Sequence, residues 1–557
     1  MSKRLLFSFF ILLSVVASAQ NHYDKIRIGW DYRKQCHVGS GVYSRLKLLS
    51  NDTLTCVYSV NRGVYIRKQK DGIWSDPLLV AVDPTRQYDY TNAEMTELAD
   101  GSLIYVWNAR PLPDTGQPYK IMAALSNDGG LSWHNEQTLF VAGTDFEEGC
   151  WEPVVAQLPS GEVQLFFANE YEVPDKQQHI AMMRSFDNGK TWQKPEIVCF
   201  REKSRDGMPV PVVLQDKKGI ALAIEDNGLN GAFKPVIIYT SLKDNWKSGT
   251  VTADSPKRWG ALTGRDTLAA PIYAGAPYLI QLTSGETLLS FQSGEGRKSR
   301  GTLDHSLMQV YVGDNEAREF SCKSTPFPFP GNDKAKTLWC ALEQTGDNTV
   351  MATASVSGLE KNNGVWTSTG KIFRPMKSYR TEKTPVQWDA VPEGMFIGAE
   401  SQAQCRVYSV WDKDSLYFRF HVADRHVSRD PQHGTDAVEL FINRDIEERQ
   451  TVSSNIYRIC ASPTNRIQLQ CLQKDEWKEW TANIKSDVAY GEEGYSATIS
   501  IPWESVEGRP GKNGFTVFFR LHNADGNGVV IKENMPGAVQ DKPQTWMRCT
   551  LSRKTMD

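Results

Sequence analysis

Two glutamates stand out by their surroundings. Glu152 lies in Glu148-Gly-Cys-Trp151-Glu152-Pro153, between an indole and a proline, and Glu225 closes the apolar run Ile220-Ala-Leu-Ala-Ile-Glu225-Asp226. A pair of carboxyl groups can cleave a glycosidic bond. Held about 5 Å apart they act as nucleophile and acid/base with retention, and about 6.5 to 9.5 Å apart as acid and base with inversion. The acid must keep its proton near neutral pH, which burial beside a second carboxylate supplies. Arg45, Asn92, Glu94, Asn108, Arg110, Trp151, Glu170, Arg205, Asp206, Arg265 and Tyr278 offer planar forks, amides and rings for binding a substrate around that pair. The competing reading of these polar residues is ordinary strand-end ion pairs.

Which elements could bring such distant residues together is written in repeats. Ser126-Asn-Asp128-Gly-Gly130-Leu-Ser-Trp133 and Ser185-Phe-Asp187-Asn-Gly189-Lys-Thr-Trp192 share the phrase Ser-x-Asp-x-Gly-x-x-Trp. The residue types suit a turn between antiparallel strands: Ser and Asp bond nearby backbone, Gly takes a conformation closed to other residues, and Trp plugs the space beneath. A second repeat, a Leu followed by a polar turn and a β-rich run, begins at Leu49, Leu98, Leu158, Leu214, Leu282 and Leu342. Three consecutive copies carry a proline five residues earlier, Pro153, Pro209 and Pro277, where a strand start tolerates the missing donor. Spacings of roughly 50 to 70 residues fit four short strands per repeat, and six such sheets predict a β-propeller over residues 20–372. In that phase the Asp-containing turns occupy one face. Glu152, opening the inner strand of blade three, and Glu225, ending the second strand of blade four, occupy the other.

The pattern stops near residue 372. Residues 373–385, with Lys, Arg, Thr and Pro, read as a linker, and residues 386–557 as a β-sandwich of short alternating strands such as Ser415-Leu-Tyr-Phe-Arg-Phe-His-Val422. The fold class is therefore all-β. Residues 1–19 have the layout of a cleaved signal peptide, Lys3-Arg4, an apolar run and Ala17-Ser-Ala19, so an exported protein, periplasmic or secreted, is expected. No later stretch is apolar enough to span a membrane. A net charge of -3 without a basic run excludes a nucleic-acid footprint. The ten Cys and nine His are scattered, so no catalytic metal or cofactor is expected, and one or two disulfides are compatible with export. Oligomeric state is not encoded in any of these features.

The two Ser-x-Asp-x-Gly-x-x-Trp turns resemble the Asp-box (BNR repeat) of the sialidase superfamily of six-bladed propellers, over residues 40–355. Tyr43-Ser44-Arg45, Trp151-Glu152-Pro153, Gly207-Met208-Pro209-Val210 followed by Glu225, and Ala274-Gly275-Ala276-Pro277-Tyr278-Leu279 look more like its exo-arabinanase branch. That resemblance implies a retaining exo-glycosidase acting on an oligo- or polysaccharide, with Glu152 as nucleophile and Glu225 as acid/base. A sialidase proper would need a carboxylate-binding arginine triad, for which Arg45, Arg265 and Arg297 are the available members. An exo-α-sialidase is thus the second expectation and a non-catalytic glycan-binding protein the third. The last domain resembles family-nine-like carbohydrate-binding modules through Trp411-Asp-Lys-Asp-Ser-Leu-Tyr417 and Gly434-Thr-Asp436-Ala-Val-Glu439. This implies sugar-stacking Trp residues, for which Trp477 and Trp480 are candidates against plain packing, and a structural calcium.

Overall fold

The computed structural model describes residues 22–556 except 172–176, 217, 384, 399–402, 431–433, 445–455, 474–475 and 525–527. The expected signal peptide lies outside the described residues. The chain divides into two units, residues 30–371 and residues 1–29 with 372–557.

The first unit is a six-bladed propeller. Its inner strands are Val42–Leu48, Tyr88–Glu97, Cys150–Gln157, Asp206–Val213, Ala274–Gln281 and Lys336–Gly346, and each begins an antiparallel sheet. The sixth blade takes its outermost strand, Arg27–Gly39, from the start of the chain, in the order Arg27–Gly39, Gly364–Phe373, Thr349–Ser357, Lys336–Gly346. This distant segment completes the sixth blade and pairs the outer edge of Gly364–Phe373. Blade cores are filled by rings and aliphatic side chains; Trp107, Phe166, Phe167 and Phe291 are wholly buried.

Neighbouring blades are latched at the hairpins. The side-chain oxygen before a hairpin accepts the N–H of the first turn residue of the preceding blade: Ser50 to Glu97 (2.7 Å), Ala99 to Gln157 (2.7 Å), Gln215 to Gln281 (2.8 Å) and Thr283 to Gln344 (2.8 Å). Each such bond contributes about 1 kcal/mol. Blade three has Pro159 at the donor position, which has no N–H, and blade four has Val213 where the acceptor would stand. The latch also corrects the register of blade six: its hairpin position is Thr345, three residues beyond the Leu342 of the sequence pattern.

The Asp-containing turns close the outer strands on the hairpin side. Ser126 Oγ accepts the Gly130 N–H (2.8 Å), and Asp128 Oδ1 accepts those of Leu131 and Ser132 (2.9 Å each). Ser185 and Asp187 repeat this with Gly189 (2.9 Å), Lys190 (3.1 Å) and Thr191 (2.9 Å). Gly130 and Gly189 sit at φ +83° and +81°, a region that favours glycine. Trp133 and Trp192 pack beneath, against the blade cores. Asn188 of the second turn donates to Asp100 in the blade-two hairpin (2.7 Å), which fixes these turns on the hairpin face. On that face the channel widens to a cavity of about 830 Å³ lined by Lys47, Glu97, Gln157, Gln281 and Glu343 among others.

In the second unit one hydrogen-bonded path of strands folds back on itself around a single core. Phe418 and Phe519 stand on strands that are not neighbours in the path, yet their rings approach to 5.7 Å, so the two wings face one another as a sandwich. Part of the stretch read as a linker is structural: Met376–Arg380 is a strand, parallel to both Gln404–Trp411 and Met547–Thr555. Its alternation of buried Met376 and Ser378 with exposed Lys377 supplies the β pattern that the Lys and Pro of the surrounding stretch obscured. Residues 22–29 also join this unit. Arg27 is wholly buried and donates to the carbonyls of Lys25 (2.7 Å) and Thr545 (3.0 Å). No disulfide links the ten cysteines.

Candidate active site

Each inner strand carries one residue in the left-handed region, six positions before the hairpin: Tyr43 (φ 56°), Asn92 (52°), Glu152 (52°), Met208 (53°), Ala276 (50°) and Trp339 (51°). At each of them the pairing with the second strand slips. A non-glycine residue there costs roughly 1 to 3 kcal/mol, and such strain concentrates at functional sites. Six bulges at one level form a ring at the channel mouth, each re-aiming a side chain that regular pairing would have sent elsewhere.

Glu152 is one of the six, and its carboxylate accepts the Met208 amide. Glu225 stands opposite Gly207 in the pairing of blade four and accepts the Ala276 N–H at 2.7 Å. Glycines make room for it. A Cβ on Gly207 would lie 3.2 Å from Glu225 Oε1, and one on Gly275 would lie 2.5 Å from Oε2. Residues 207 and 208, adjacent in sequence, therefore touch both carboxylates.

The two acids titrate differently from ordinary surface glutamates. Burial, opposed by the Ala276 amide and reinforced by the charge of Glu152, pushes Glu225 up to about 7. Burial also raises Glu152, but the Arg110 guanidinium and the Met208 amide oppose it. Glu225 is thus the group better held protonated near neutral pH, and Glu152 the one with a cation and a donor on its ionised form.

Of the residues expected to bind substrate, Asn92, Arg110, Trp151 and Arg205 gather around Glu152. Arg110 donates to Asn108 Oδ1 (3.0 Å) and to Asn92 Oδ1, and stacks over the Trp151 ring at 4.9 Å. The indole N–H of Trp151 donates to Glu170 (2.7 Å), which pairs with the half-exposed Arg205 (2.8 Å).

The other four are placed differently. Arg45 and Tyr278 stand two residues further along their strands than the mouth ring, one layer deeper by the period-two alternation. Arg45 is buried, paired with Glu94 (3.1 Å) and layered between the rings of Tyr43 (4.0 Å) and Tyr278 (5.2 Å). They form a floor, and breaking a pair so buried costs roughly 3 to 5 kcal/mol. Asp206 is committed to Arg258 (2.6 Å), which also reaches Asp226, in a fully buried cluster. Arg265 is exposed on a short 3-10 turn, Gly264–Asp266. Arg297 donates to the carbonyls of His305 (3.0 Å) and Ala335 (2.8 Å). Arg45, Arg265 and Arg297 thus have separate employments, and the arginine triad does not assemble.

One neighbour of the carboxylates, with two residues hydrogen-bonded in line behind it, escaped the sequence. Tyr273 lies within electrostatic reach of both glutamates, and its hydroxyl accepts Gln292 Nε2 at 2.8 Å. Gln292 also accepts the Trp339 N–H (2.7 Å). Trp339, Tyr43, Met208 and Ala276 form an apolar half of the mouth, facing the amide and guanidinium half around Glu152. The usable signal was positional: each ring residue precedes its hairpin by six, but Tyr, Asn, Glu, Met, Ala and Trp share no chemistry to reveal it.

In the second unit Trp477 packs edge-on against Phe441 (5.8 Å) and Trp480 against Tyr457 (4.8 Å), so both rings rest on the core. Asp424 and Asp436 meet side chain to side chain; burial first, then the Asp424 charge, pushes Asp436 up to about 7, while the Ala524 and Ser428 amides oppose this. Asp424 Oδ2 is buried, with no hydrogen-bond donor among the described residues. The two carboxylates supply oxygen donors of the kind calcium takes, and among the described residues no group of three or more metal-ligating side chains occurs.

Two segments match known families: residues 101–262 the BNR repeat-like domain, and residues 378–552 the carbohydrate family 9 binding domain-like family. No curated protein matches the chain. Among solved structures it is similar to a GH93 α-L-arabinofuranosidase of Fusarium graminearum in complex with arabinobiose (17% identity, 60% of this chain and 93% of that one, TM-score 0.45). It is similar too to a Penicillium chrysogenum α-L-arabinanase complexed with arabinobiose (15%, 61% and 94%, TM-score 0.45). The second unit is similar to a family 9 carbohydrate-binding module of Caldicellulosiruptor kristjanssonii in complex with cellotriose (14%, 32% and 94%, TM-score 0.26). The chain is all-β: a six-bladed propeller in which residues 101–262 match the BNR repeat-like domain, and a second β-rich unit in which residues 378–552 match the carbohydrate family 9 binding domain-like family.

Proposed function

We propose that the protein is an exported, retaining exo-glycosidase that removes a terminal neutral sugar from a glycan, with arabinan as the first substrate to test. The observation that carries this is the pair itself: Glu225 with its pKa at about 7 and Glu152 beside a cation, both touching residues 207–208. Contact through one peptide unit supports the short separation of a retaining pair.

In the first step the Glu152 carboxylate bonds to the anomeric carbon as the glycosidic C–O bond breaks, and Glu225 gives its proton to the leaving oxygen. In the second, Glu225 takes a proton from water, whose oxygen replaces Glu152 at the anomeric carbon with overall retention. Asn92 and Arg110 suit sugar hydroxyls, and Trp339 with Met208 offers an apolar face to the ring. A neutral sugar is favoured over sialic acid because Arg45 is paired with Glu94 and Arg297 with backbone carbonyls.

The test is a screen of arabinan, sialoglycans and pectic oligosaccharides with product anomers followed by NMR. Release of single sugars in the retained configuration is expected. Binding without release would identify a glycan-binding protein instead. For the second unit we propose a structural calcium at Asp424 and Asp436, checked by a fall in melting temperature with chelator and its recovery with calcium. Export is checked by N-terminal sequencing of the mature chain, expected to start near Gln20.

A further inference from the structure

Glu225 sits on strand ends that the sheet itself holds poorly. In blade four the pairing between Asp206–Val213 and Gly219–Asn230 slips between Gly207 and Val210, and beyond the slip two pairs remain, Asp206 with Asp226 and Gly207 with Glu225. A bulge interrupts the ladder and bends the strand. On its other side Glu225 stands opposite Pro235, which offers the ladder no N–H. The segment that carries the acid therefore needs a fastening other than backbone pairing.

That fastening is an arginine from the outermost strand of the blade. Arg258, at the start of Arg258–Gly260, donates from Nη1 and Nη2 to the two carboxylate oxygens of Asp206 (2.7 and 2.6 Å), and Nη2 also reaches Asp226 Oδ2. Arg201 Nε donates to the same Asp226 oxygen at 2.8 Å, and Asp226 Oδ1 accepts the Gly228 N–H at 2.7 Å. Asp206 and Asp226 are wholly buried and Arg258 nearly so. Two guanidinium groups and two carboxylates balance, so the cluster brings no net charge to the neighbourhood of Glu225.

The placing of the two aspartates gives the cluster its meaning. Asp206 immediately precedes Gly207, against which Glu225 packs, and Asp226 immediately follows Glu225. One planar fork thus grips the chain on both sides of the acid. A buried ion pair is weak evidence for stability, because apolar replacements often serve as well; what such replacements lack is a fork of fixed geometry spanning two strands.

We propose that Arg258 is a positioning residue for Glu225, tying Asp206 to Asp226 so that the two strand ends stay closed around the acid. This rests on the reading of Glu225 as the acid/base, and adds a residue that acts on it through the backbone. The groups facing Glu225 are Glu152, Arg205, Tyr273 and the Ala276 amide. Burial outweighs them in holding its proton, so parting the strand ends admits water and lets the proton go at lower pH.

The test is a carbon-13 NMR titration of the Glu225 carboxyl in the full chain, its signal identified by its loss in Glu225→Gln. Arg258→Lys keeps the charge and removes the fork. Its Glu225 midpoint is expected about one pH unit below that of the parent, and on arabinan its kcat is expected to fall about tenfold with KM within about twofold. Should it fail to fold, Asp206→Asn/Arg258→Met removes the fork without leaving a net charge, with the same expected shift. A loss of stability alone moves neither readout. A midpoint that stays or rises in the folded variant overturns the proposal, whatever the melting temperature does. A lowered midpoint, in a chain whose wild type releases no sugar from any glycan of the screen above, keeps Arg258 in this role and removes the glycosidase reading. An unmoved midpoint in a chain that does release sugar removes the role and keeps that reading.

Discussion

Two sets of carboxylates at opposite ends of the same blades behave in opposite ways. At the hairpin end, Asp187 is held at about 2, first by the Thr191 hydroxyl and amide, and Asp128 is pulled down in the same manner by Ser132. At the mouth, Glu225 is pushed up to about 7 and Glu152 is raised, by burial. The first set is exposed to water and saturated with donors; the second is enclosed and short of them. Donor saturation fixes a carboxylate in its charged form, where it can only hold a turn together. Enclosure brings the protonated and ionised forms closer in energy, which proton transfer requires.

The largest effect that separates the two ends is on turnover. Glu225→Gln and Glu152→Gln are each expected to lower kcat at least about 10³-fold with the circular dichroism of the wild type; wild-type rates in either would end the mouth's claim to the chemistry. Next comes the seat of the acid. Gly275→Ala places a methyl group 2.5 Å from Glu225 Oε2, and kcat is expected to fall about 10- to 100-fold with a smaller change in KM, read in steady-state kinetics. An unchanged kcat would mean that Glu225 is free to move away.

The pH profile sharpens the same contrast. The proposed mechanism requires Glu225 protonated and Glu152 ionised, so the alkaline limb of kcat/KM is expected near pH 7. Stability follows the sign of each shift. Because Glu225 is raised in the folded state, its contribution is present below its unfolded value of about 4.3 and lost as pH rises through about 7. Glu225→Gln should therefore melt higher than wild type above pH 7 in calorimetric scans. Asp187 is depressed, so its contribution is present above about 3.9 and lost as pH falls toward 2. The smallest effect is expected there: Asp187→Ala lowers the melting temperature by a few degrees at pH 7, by less at pH 3, with kcat/KM of the wild type. A loss of activity greater than threefold would break the division between the ends.

Much of this was legible before the structure. Repeated turns and hairpins carry their own chemistry, since Ser, Asp and Gly bond locally and Leu plugs the blade, so blade count, the all-β class and the face of each turn could be read from residue types in order. The separation of Glu152 and Glu225 from the turn face followed from phase alone. The sixth hairpin was misplaced because Thr345 stands where the other blades have Leu, and the strand Met376–Arg380 was hidden by the linker-like residues around it.

What the sequence by itself determined is the repeat, and with it the pair of candidate acids at equivalent ends of two blades. The tertiary structure decided the rest. Which arginine faces the mouth depends on strand depth and on partners 49 residues or more away, as with Arg45 and Glu94. The left-handed ring at the mouth is imposed by the pairing of each inner strand and is occupied by six residue types. The closing strand Arg27–Gly39 finds its partner at Gly364–Phe373. Local sequence encodes local hydrogen bonding and alternation; burial, charge partners and the raised acid arise only when blades from distant parts of the chain meet.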